Sequence, residues 1–298
     1  MTHPAEPSPG DAVPRKGDRT RARINLLILL LPIILLSMYT LVLPMIIFTA
    51  YSFRSFAGAR ISDTFSLDAY RDFFSDSYNY SVIGSSLQIA VVVTLITLVI
   101  AYPLAYCLWR LRRPSLQRWL ALIIFSPVLV SVVVRSYGWS VVLADQGVLN
   151  TSLIGVGLID SPIKVLFTST AVVIGMIHVF LPFVVFPIYT SMLRMDPALR
   201  EAAYDLGAGW TMYFVRVAFP RTLPGVLAGA QVCFALALGS FVTASLLGGG
   251  RIQLLPMEVY QATAEINWPT ASVVNMVLLV LAFVSMLAFN RLSRMAED

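Results

Sequence analysis

The chain has 298 residues, of which 58% are hydrophobic and only 12% are charged, whereas about a quarter of the residues of a soluble domain are charged. This composition excludes an ordinary soluble protein and indicates an integral membrane protein. The two cysteines, Cys107 and Cys233, lie in or beside apolar runs, which argues against a disulfide framework and a metal site. The formal charge of +5 follows from membrane topology and does not indicate a nucleic-acid partner.

Residues 1–23 combine prolines and glycines with polar residues and are predicted to form a disordered cytosolic tail. Residues 24–53 carry no charge and are too long for the apolar region of a cleaved signal. A membrane span needs about 20 residues, and further apolar runs of this length occupy residues 81–108, 119–143, 165–190, 223–247 and 271–290. The sequence therefore predicts an all-α membrane protein with six transmembrane helices in one domain, residues 24–292, and a short tail at residues 293–298.

Orientation follows from lysine and arginine, which cytoplasmic flanks of spans retain. In the six-span topology, fifteen of the 21 basic residues lie on the side of the two termini and five lie on the opposite side, while Arg135 lies within the third span. This asymmetry predicts that both termini face the cytosol.

Three loops are predicted on the outer side. The first, residues 54–80, contains SLDAYRDFF, in which Asp68 is expected to cap a short helix. The second, residues 144–164, places turn-forming residues around apolar segments and predicts short helices on the membrane surface. The third, residues 248–270, is predicted to contain one short helix at residues 257–265.

A polar stretch between the fourth and fifth spans, residues 195–224, reads MDPALREAAYDLGAGWTMYFVRVAFPRTLP. Asp196 is expected to cap a helix whose first position suits Pro197. An apolar face is predicted from residues that recur at helical spacing: Leu199, Ala202, Ala203 and Leu206. Gly207 and Gly209 supply backbone freedom for a sharp turn, and a second apolar stripe then runs to Pro220. The stretch predicts a short, bent, two-helix element facing the cytosol.

The segment EAAYDLGAG within this stretch, followed by Phe219-Pro220, resembles the EAA loop of permease subunits of binding-protein-dependent ABC importers. Five more segments resemble the spermidine/putrescine-type permeases, and in particular the first permease of the pair: YPLAY from Tyr102, SVVVRSYGW from Ser131, LPFVVFPIY from Leu181, SFVTASLLGGG from Ser240 and NWP from Asn267. The resemblance implies the type I ABC importer permease fold in the bacterial inner membrane. The partners it implies are an ABC ATP-binding subunit dimer, a second homologous permease, a periplasmic substrate-binding protein and membrane lipid.

In that family the EAA loop docks into a cleft of the ATP-hydrolysing subunit. The resemblance therefore implies coupling roles for Glu201, Ala202, Ala203, Asp205, Leu206 and Gly207. An ordinary amphipathic cytosolic loop is the alternative. The implied function is alternating-access transport of a small organic solute, polyamine-like, from periplasm to cytosol. An amino acid, opine or phosphonate-type solute stays open, because the predicted spans hold no carboxylate and one arginine.

The chain lacks the motifs of an enzyme. Its two lysines, Lys16 and Lys164, lie outside any G-x-x-x-x-G-K setting, and no nucleophile elbow, zinc-ligand pair or dinucleotide fingerprint occurs. We therefore expect no catalysis, cofactor or metal in this chain, and ATP with magnesium in a partner subunit. An ion-coupled secondary transporter is the competing class, but it needs acids within the membrane, and none lies in a predicted span.

Arg135 is a permanent charge within a predicted span, which is costly unless it faces a cavity or a partner. Snorkelling to the membrane surface is the alternative. The candidates for the translocation pathway or a partner interface are Arg135, Tyr137, Trp139, Phe241 and Thr243, although aromatic residues in spans also simply pack. His178 is expected to be a neutral imidazole hydrogen-bonded to a neighbouring helix.

Overall fold

The computed structural model describes residues 16–57, 60–196 and 198–297. The chain divides into two units, one ending at Tyr51 and the other beginning at Ser52. Among the described residues, five helices are long and apolar enough to cross a membrane, and a bent pair of helices raises the number to as many as six. The predicted all-α membrane class is confirmed, while the cytosolic placement of the termini stays a prediction.

The regular elements follow in chain order. They are α1 (Lys16–Ser52), β1 (Arg54–Ala57), β2 (Arg60–Phe65), α2 (Asp68–Ser75), α3 (Ser77–Arg110), α4 (Pro114–Leu129), α5 (Val132–Leu143), α6 (Val148–Gly155), α7 (Ser169–Leu193), α8 (Ala198–Asp205), α9 (Trp210–Tyr213), a π-helical segment (Phe214–Ala218), α10 (Phe219–Leu238), α11 (Val242–Gly248), α12 (Leu255–Ala264) and α13 (Trp268–Glu297).

Helix α1 begins at Lys16, earlier than the predicted boundary at residue 24. Arginine and lysine are good helix formers, and no proline follows Pro14 until Pro32, so the basic segment continues the helix. The rest of the predicted tail, residues 1–15, lies outside the described residues. At the other terminus α13 runs to Glu297, through most of the predicted tail at residues 293–298.

The core of the second unit is formed by α3, α7 and α10, which pack against one another. Small side chains such as Ala101 and Ala105 of α3 are fully buried there. Gly225 of α10 lies so close to Pro187 and Ser191 of α7 that a Cβ atom would clash with both. Small residues allow this close approach, which dispersion forces reward in a membrane helix bundle.

The predicted third span, residues 119–143, is not one straight helix. Helices α4 and α5 are separated by Val130 and Ser131, both in extended backbone, and the helical segments on either side are bent by 100°. Pro127 lacks the N–H that would bond to the carbonyl of Ile123, and the hydroxyl of Ser126 donates to that carbonyl instead, at 2.9 Å. The helix is thus weakened just before the break.

The predicted fifth span, residues 223–247, is also divided. Helix α10 ends at Leu238, Gly239 and Ser240 interrupt it, and α11 continues from Val242. Helix α11 packs against α5 and α7, so the second half of this apolar run covers the bundle instead of extending α10.

The loops predicted on the outer side contain elements that the sequence predicted only in part. Helix α12 matches the helix predicted at residues 257–265 to within two residues, and α6 is a short helix in the second loop. The antiparallel hairpin of β1 and β2 was not predicted. Helix α2 forms where expected, but Asp68 does not cap it: its own N–H donates to the hydroxyl of Ser66 at 2.9 Å.

Candidate functional site

The loop between α7 and α10, residues 195–218, is called the EAA element here. Asp196 Oδ1 accepts a hydrogen bond from the N–H of Ala198 at 2.9 Å, so the predicted cap is confirmed. Pro197, which was predicted to occupy the first helical position, lies outside the described residues. Helix α8 then continues to Asp205.

Helix α8 ends in a glycine turn. Gly207 has φ of +79°, its N–H donates to the carbonyl of Tyr204 at 2.9 Å, and the N–H of Ala208 donates to the carbonyl of Ala203 at 3.0 Å. These two bonds define a Schellman cap. A Cβ atom on Gly207 would meet nothing within 4 Å, so backbone conformation and not space favours glycine. Gly209, with φ of −71°, has ordinary extended backbone and does not need to be glycine.

The EAA element has its own small core. Ala203, Tyr213 and Ala218 are buried together, and the rings of Tyr204 and Tyr213 stack with centroids 6.0 Å apart. Of the predicted apolar face, only Ala203 is buried, whereas Leu206 is 88% exposed. The remaining residues with implied coupling roles are all exposed: Glu201, Ala202, Asp205, Leu206 and Gly207. The fold of the element therefore leaves these five residues free of this chain's own core, whereas Ala203 is part of that core.

Two tyrosines of the YPLAY segment join α3 to the EAA element and to the start of α10. The ring of Tyr102 lies 5.4 Å from that of Phe214 and 5.8 Å from that of Phe219, and its hydroxyl is 3.0 Å from Thr222 Oγ1. The hydroxyl of Tyr106 accepts a hydrogen bond from Trp210 Nε1 at 3.3 Å. The EAA element is thereby joined to α3, the longest helix of the core.

Sequence reasoning used these tyrosines only as family markers. The signal that identifies them was present, since Tyr102 and Tyr106 are four residues apart at the end of an apolar run. Residues at that spacing share one helix face, which here is the face toward the EAA element.

A cavity of about 410 Å³ lies at the bend between α4 and α5. Pro127, Arg135 and Trp139 line it, together with His178 of α7. Trp139 Nε1 donates to Nδ1 of His178 at 3.1 Å. The predicted hydrogen bond of His178 to a neighbouring helix is confirmed.

Arg135 is 8% exposed and turns back onto the bend instead of extending to the surface. Its guanidinium donates to the carbonyl of Pro127 and, at 3.4 Å, to that of Val130. The last carbonyls of a helix lack intrahelical partners and form the negative end of its dipole. Arg135 therefore supplies hydrogen-bond donors to free carbonyls at the carboxyl end of α4. Its Nε has no hydrogen-bond partner among the described residues.

The five pathway candidates do not form one surface. Arg135 and Trp139 share the cavity at the bend, but Tyr137 is 59% exposed and does not line it. Phe241 packs on Tyr260, with ring centroids 4.8 Å apart, and Thr243 is buried. A pathway role for these residues stays a prediction.

A second cleft, of about 300 Å³, lies at the amino end of α3, between α2 and α12. Its charged lining residues are all carboxylates: Asp72, Asp76, Glu258 and Glu265. The hydroxyl of Tyr78 donates to Glu258 Oε1 at 2.8 Å, and the N–H of Leu255 donates to Ser86 Oγ at 2.9 Å, so α12 is held against α3. We call this the acidic cleft. Among the described residues no side-chain cluster is suited to hold a metal ion.

The sequence matches no protein-family model. It is 33% identical over 252 residues to the spermidine/putrescine transport system permease protein PotB of Escherichia coli K12, covering 84% of this chain and 90% of that protein. PotB of Haemophilus influenzae is 33% identical over 260 residues, which cover 86% and 90% of the two chains. The inner membrane ABC transporter permease protein YdcU of Escherichia coli K12 is 29% identical over 216 residues, 68% of each chain.

Solved structures show the same fold. A chain of a bacterial ABC transporter that imports the acidic polysaccharide alginate superimposes with a TM-score of 0.75 at 19% identity, covering 94% of this chain and 99% of that one. A chain of the methionine ABC transporter MetNI in an inward-facing conformation gives 0.56 at 19% identity, covering 73% and 95%. With one residue in three identical to PotB along 84% of its length, the chain belongs to the PotB family of ABC transporter permease subunits.

Proposed function

We propose that this chain is the permease subunit of an importer that moves a polyamine-type cation from the periplasm to the cytosol. The observation that carries the proposal is the 33% identity to spermidine/putrescine permeases over 84% of the chain. The chain is a multi-pass protein of the inner membrane and not an enzyme. It carries no cofactor of its own, because ATP is bound by the ATPase subunit of such a transporter.

The acidic cleft supports a cationic cargo. Helix α3 has 34 residues and is about 50 Å long at 1.5 Å per residue, with the EAA element at its carboxyl end and the acidic cleft at its amino end. If the EAA element faces the cytosol, the cleft faces the periplasm. A cleft lined by charges of one sign raises the local concentration of oppositely charged solutes, so these carboxylates favour the arrival of a polycation.

The EAA element supports coupling to an ATPase. An amphipathic helix that exposes apolar residues beside a rigid turn suits a groove of another protein, and Leu206 projects from the end of α8. ATP-driven closure of the ATPase dimer moves the docked α8, and the contacts of Tyr102 with Phe214 and Phe219 pass this motion to α3 and α10. Alternating access follows when this permease and a second, homologous one swing against each other.

The proposed complex contains two ATPase subunits, two homologous permeases and a periplasmic binding protein. The binding protein in this complex has a counterpart in a transporter of the same fold: the bacterial alginate ABC transporter has been solved in complex with its alginate-bound periplasmic protein. Both termini of this chain then face the cytosol, as the distribution of arginine and lysine predicts.

The test is uptake by proteoliposomes that contain the reconstituted complex, ATP inside and the binding protein outside. Spermidine and putrescine are offered beside an amino acid, an opine and a phosphonate, with a dissipated ion gradient as a separate condition. We expect ATP-dependent uptake of a polyamine that survives loss of the gradient. Transport of another solute class alone would overturn the cargo, and gradient-driven uptake without ATP would overturn the mechanism.

A further inference from the structure

A cleft of about 490 Å³ lies at the carboxyl end of α3 beside the EAA element. It is lined by Trp109, Arg110, Leu111 and Arg112, together with Arg200 of α8. Three of these five residues are arginines, so the cleft is strongly cationic. Guanidinium groups bind phosphate through paired N–H donors in a fixed geometry. We call this site the arginine cleft.

Two of the three guanidinium groups are held in place by neutral partners. Arg110 Nη1 donates to the hydroxyl of Tyr106 at 3.0 Å, and the guanidinium carbon of Arg200 lies 5.5 Å from the centre of the Tyr204 ring. A phenol hydroxyl and an aromatic ring orient a guanidinium without cancelling its charge. Both contacts therefore prepare the cleft for an anion.

The acidic residues nearby do not line this cleft. Asp196 and Glu201 line the adjoining cavity of about 390 Å³, which shares Trp109, Arg112 and Arg200 with the arginine cleft. The arginine cleft itself has no negative lining residue among the described ones.

Tryptophans place the arginine cleft at the level of the lipid headgroups. Trp109 lines the cleft, and two further tryptophans, Trp119 of α4 and Trp210 of the EAA element, are both exposed. Tryptophan side chains concentrate at the membrane–water interface. Basic pockets at the cytoplasmic interface attract anionic lipid headgroups, with about 1 kcal/mol for each arginine or lysine near the surface.

We propose that the arginine cleft binds the phosphate group of an anionic phospholipid of the inner leaflet, with Arg112 and Arg200 as its main ligands. Arg112 follows α3 and Arg200 belongs to α8, so the bound phosphate joins the core to the EAA element across the cleft. The choice of leaflet rests on the proposed function, whereas the binding of phosphate does not.

The test measures lipid binding and not transport, so it can fail or succeed independently of the proposed cargo. The full-length chain in detergent is titrated with phosphatidylglycerol, phosphatidylcholine or inorganic phosphate, and retained ligand is measured by native mass spectrometry. We expect the double variant Arg112→Gln/Arg200→Gln to bind phosphatidylglycerol about thirtyfold more weakly, since each arginine contributes about 1 kcal/mol. The variant Arg112→Lys/Arg200→Lys keeps the charge but loses the guanidinium geometry. Its affinity for phosphatidylglycerol is expected to lie between those of wild type and the double glutamine variant.

The matched control is Arg113→Gln/Arg118→Gln, which removes the same charge from residues that do not line the cleft. Its affinity for phosphatidylglycerol is expected to stay within about twofold of wild type, because exposed charges that do not contact the bound phosphate are screened by salt. Equal losses in both double variants would show a general surface-charge effect and overturn the site. Competition by inorganic phosphate at equal affinity would keep the phosphate site and overturn the lipid source. Displacement of the lipid by the purified ATPase subunit would assign the cleft to that partner and overturn the proposal.

Discussion

The two ends of α3 carry sites that are built in opposite ways. At its carboxyl end, the EAA element is a short contiguous segment whose rings and backbone bonds fix its shape, while Leu206 is left 88% exposed. At its amino end, the acidic cleft combines side chains from α2, α3 and α12. The first is suited to transmit force, because it has its own buried core and is joined to α3 through the contact of Tyr102 with Phe214. The second is suited to attract charge, which requires carboxylates near one another but no rigid element.

Replacement of Gly207 by valine is expected to have the largest effect. A β-branched residue at φ of +79° is strained by about 2 kcal/mol or more, which distorts the end of α8 where the partner is proposed to dock. We expect ATP-dependent uptake to fall at least about tenfold. The unfolding temperature should fall by only a few degrees, because the backbone strain adds no steric clash: a Cβ atom there meets nothing within 4 Å. Uptake assays and thermal unfolding of the same preparations measure both effects.

Two glycines serve as controls for Gly207→Val. Gly209→Ser places a good N-cap residue in ordinary extended backbone with free space around it, and it should be neutral. Gly157→Val introduces the same kind of strain, at φ of +74° with free space, in the second outer loop. If Gly157→Val reduces coupling as much as Gly207→Val, the special role of the EAA element is wrong.

Leu206→Ala is expected to have the next largest effect. A leucine that becomes buried on docking contributes about 1.5–3 kcal/mol, so the affinity of the isolated ATPase subunit for the permease should fall by about tenfold or more. Leu158→Ala removes a similarly exposed leucine, 69% accessible, from the second outer loop. Surface plasmon resonance with immobilised permease compares the two variants, and equal affinities for them would refute docking at Leu206.

Prediction from sequence succeeded where a few neighbouring residues determine the structure. The cap by Asp196 and the turn at Gly207 depend on side chains and backbone within one helical turn. The break at Val130 and Ser131 could not be predicted in this way, because an apolar run with one proline also fits a straight span. It is held by Arg135, whose guanidinium returns to the carbonyl of Pro127.

The acidic cleft was missed for a different reason. Its lining residues come from two distant segments, 69–79 and 258–274. The hydrogen bond between Tyr78 and Glu258, for example, joins residues that are 180 positions apart. No local pattern indicates that these carboxylates meet. The arginine cleft was missed for the same reason. From the sequence, the arginines after α3 indicated only which side of the membrane their loop faces, because Arg200 joins them only in the folded chain.

Neutralising the acidic cleft should have a smaller effect that depends on salt. The variant Asp72→Asn/Glu265→Gln removes two carboxylates from the cleft. It keeps Asp76, which caps α3 by accepting a hydrogen bond from the N–H of Tyr78. We expect the apparent KM for polyamine uptake to rise about three- to fivefold at about 0.01 M salt and to approach wild type at about 1 M, where the Debye length is about 3 Å.

The control is Asp145→Asn/Asp160→Asn, which neutralises two exposed carboxylates of the second outer loop that do not line the cleft. This variant should leave the KM nearly unchanged at both salt concentrations. Equal KM values for the two double variants at low salt would mean that total outer charge, and not the cleft, acts on the cation.

Tyr102→Phe should have the smallest effect, because it removes one hydrogen bond and keeps the ring. The hydroxyl of Tyr102 lies 3.0 Å from Thr222 Oγ1, and such a bond contributes about 1 kcal/mol, so uptake per ATP hydrolysed should fall about two- to threefold. Tyr189→Phe is the matched control, since it removes a hydroxyl that accepts from Gln117 Nε2 at 2.8 Å without touching the EAA element. A fall in coupling for Tyr189→Phe and not for Tyr102→Phe would place the transmission of force at the contact of α4 with α7 instead of at the contact of α3 with the start of α10.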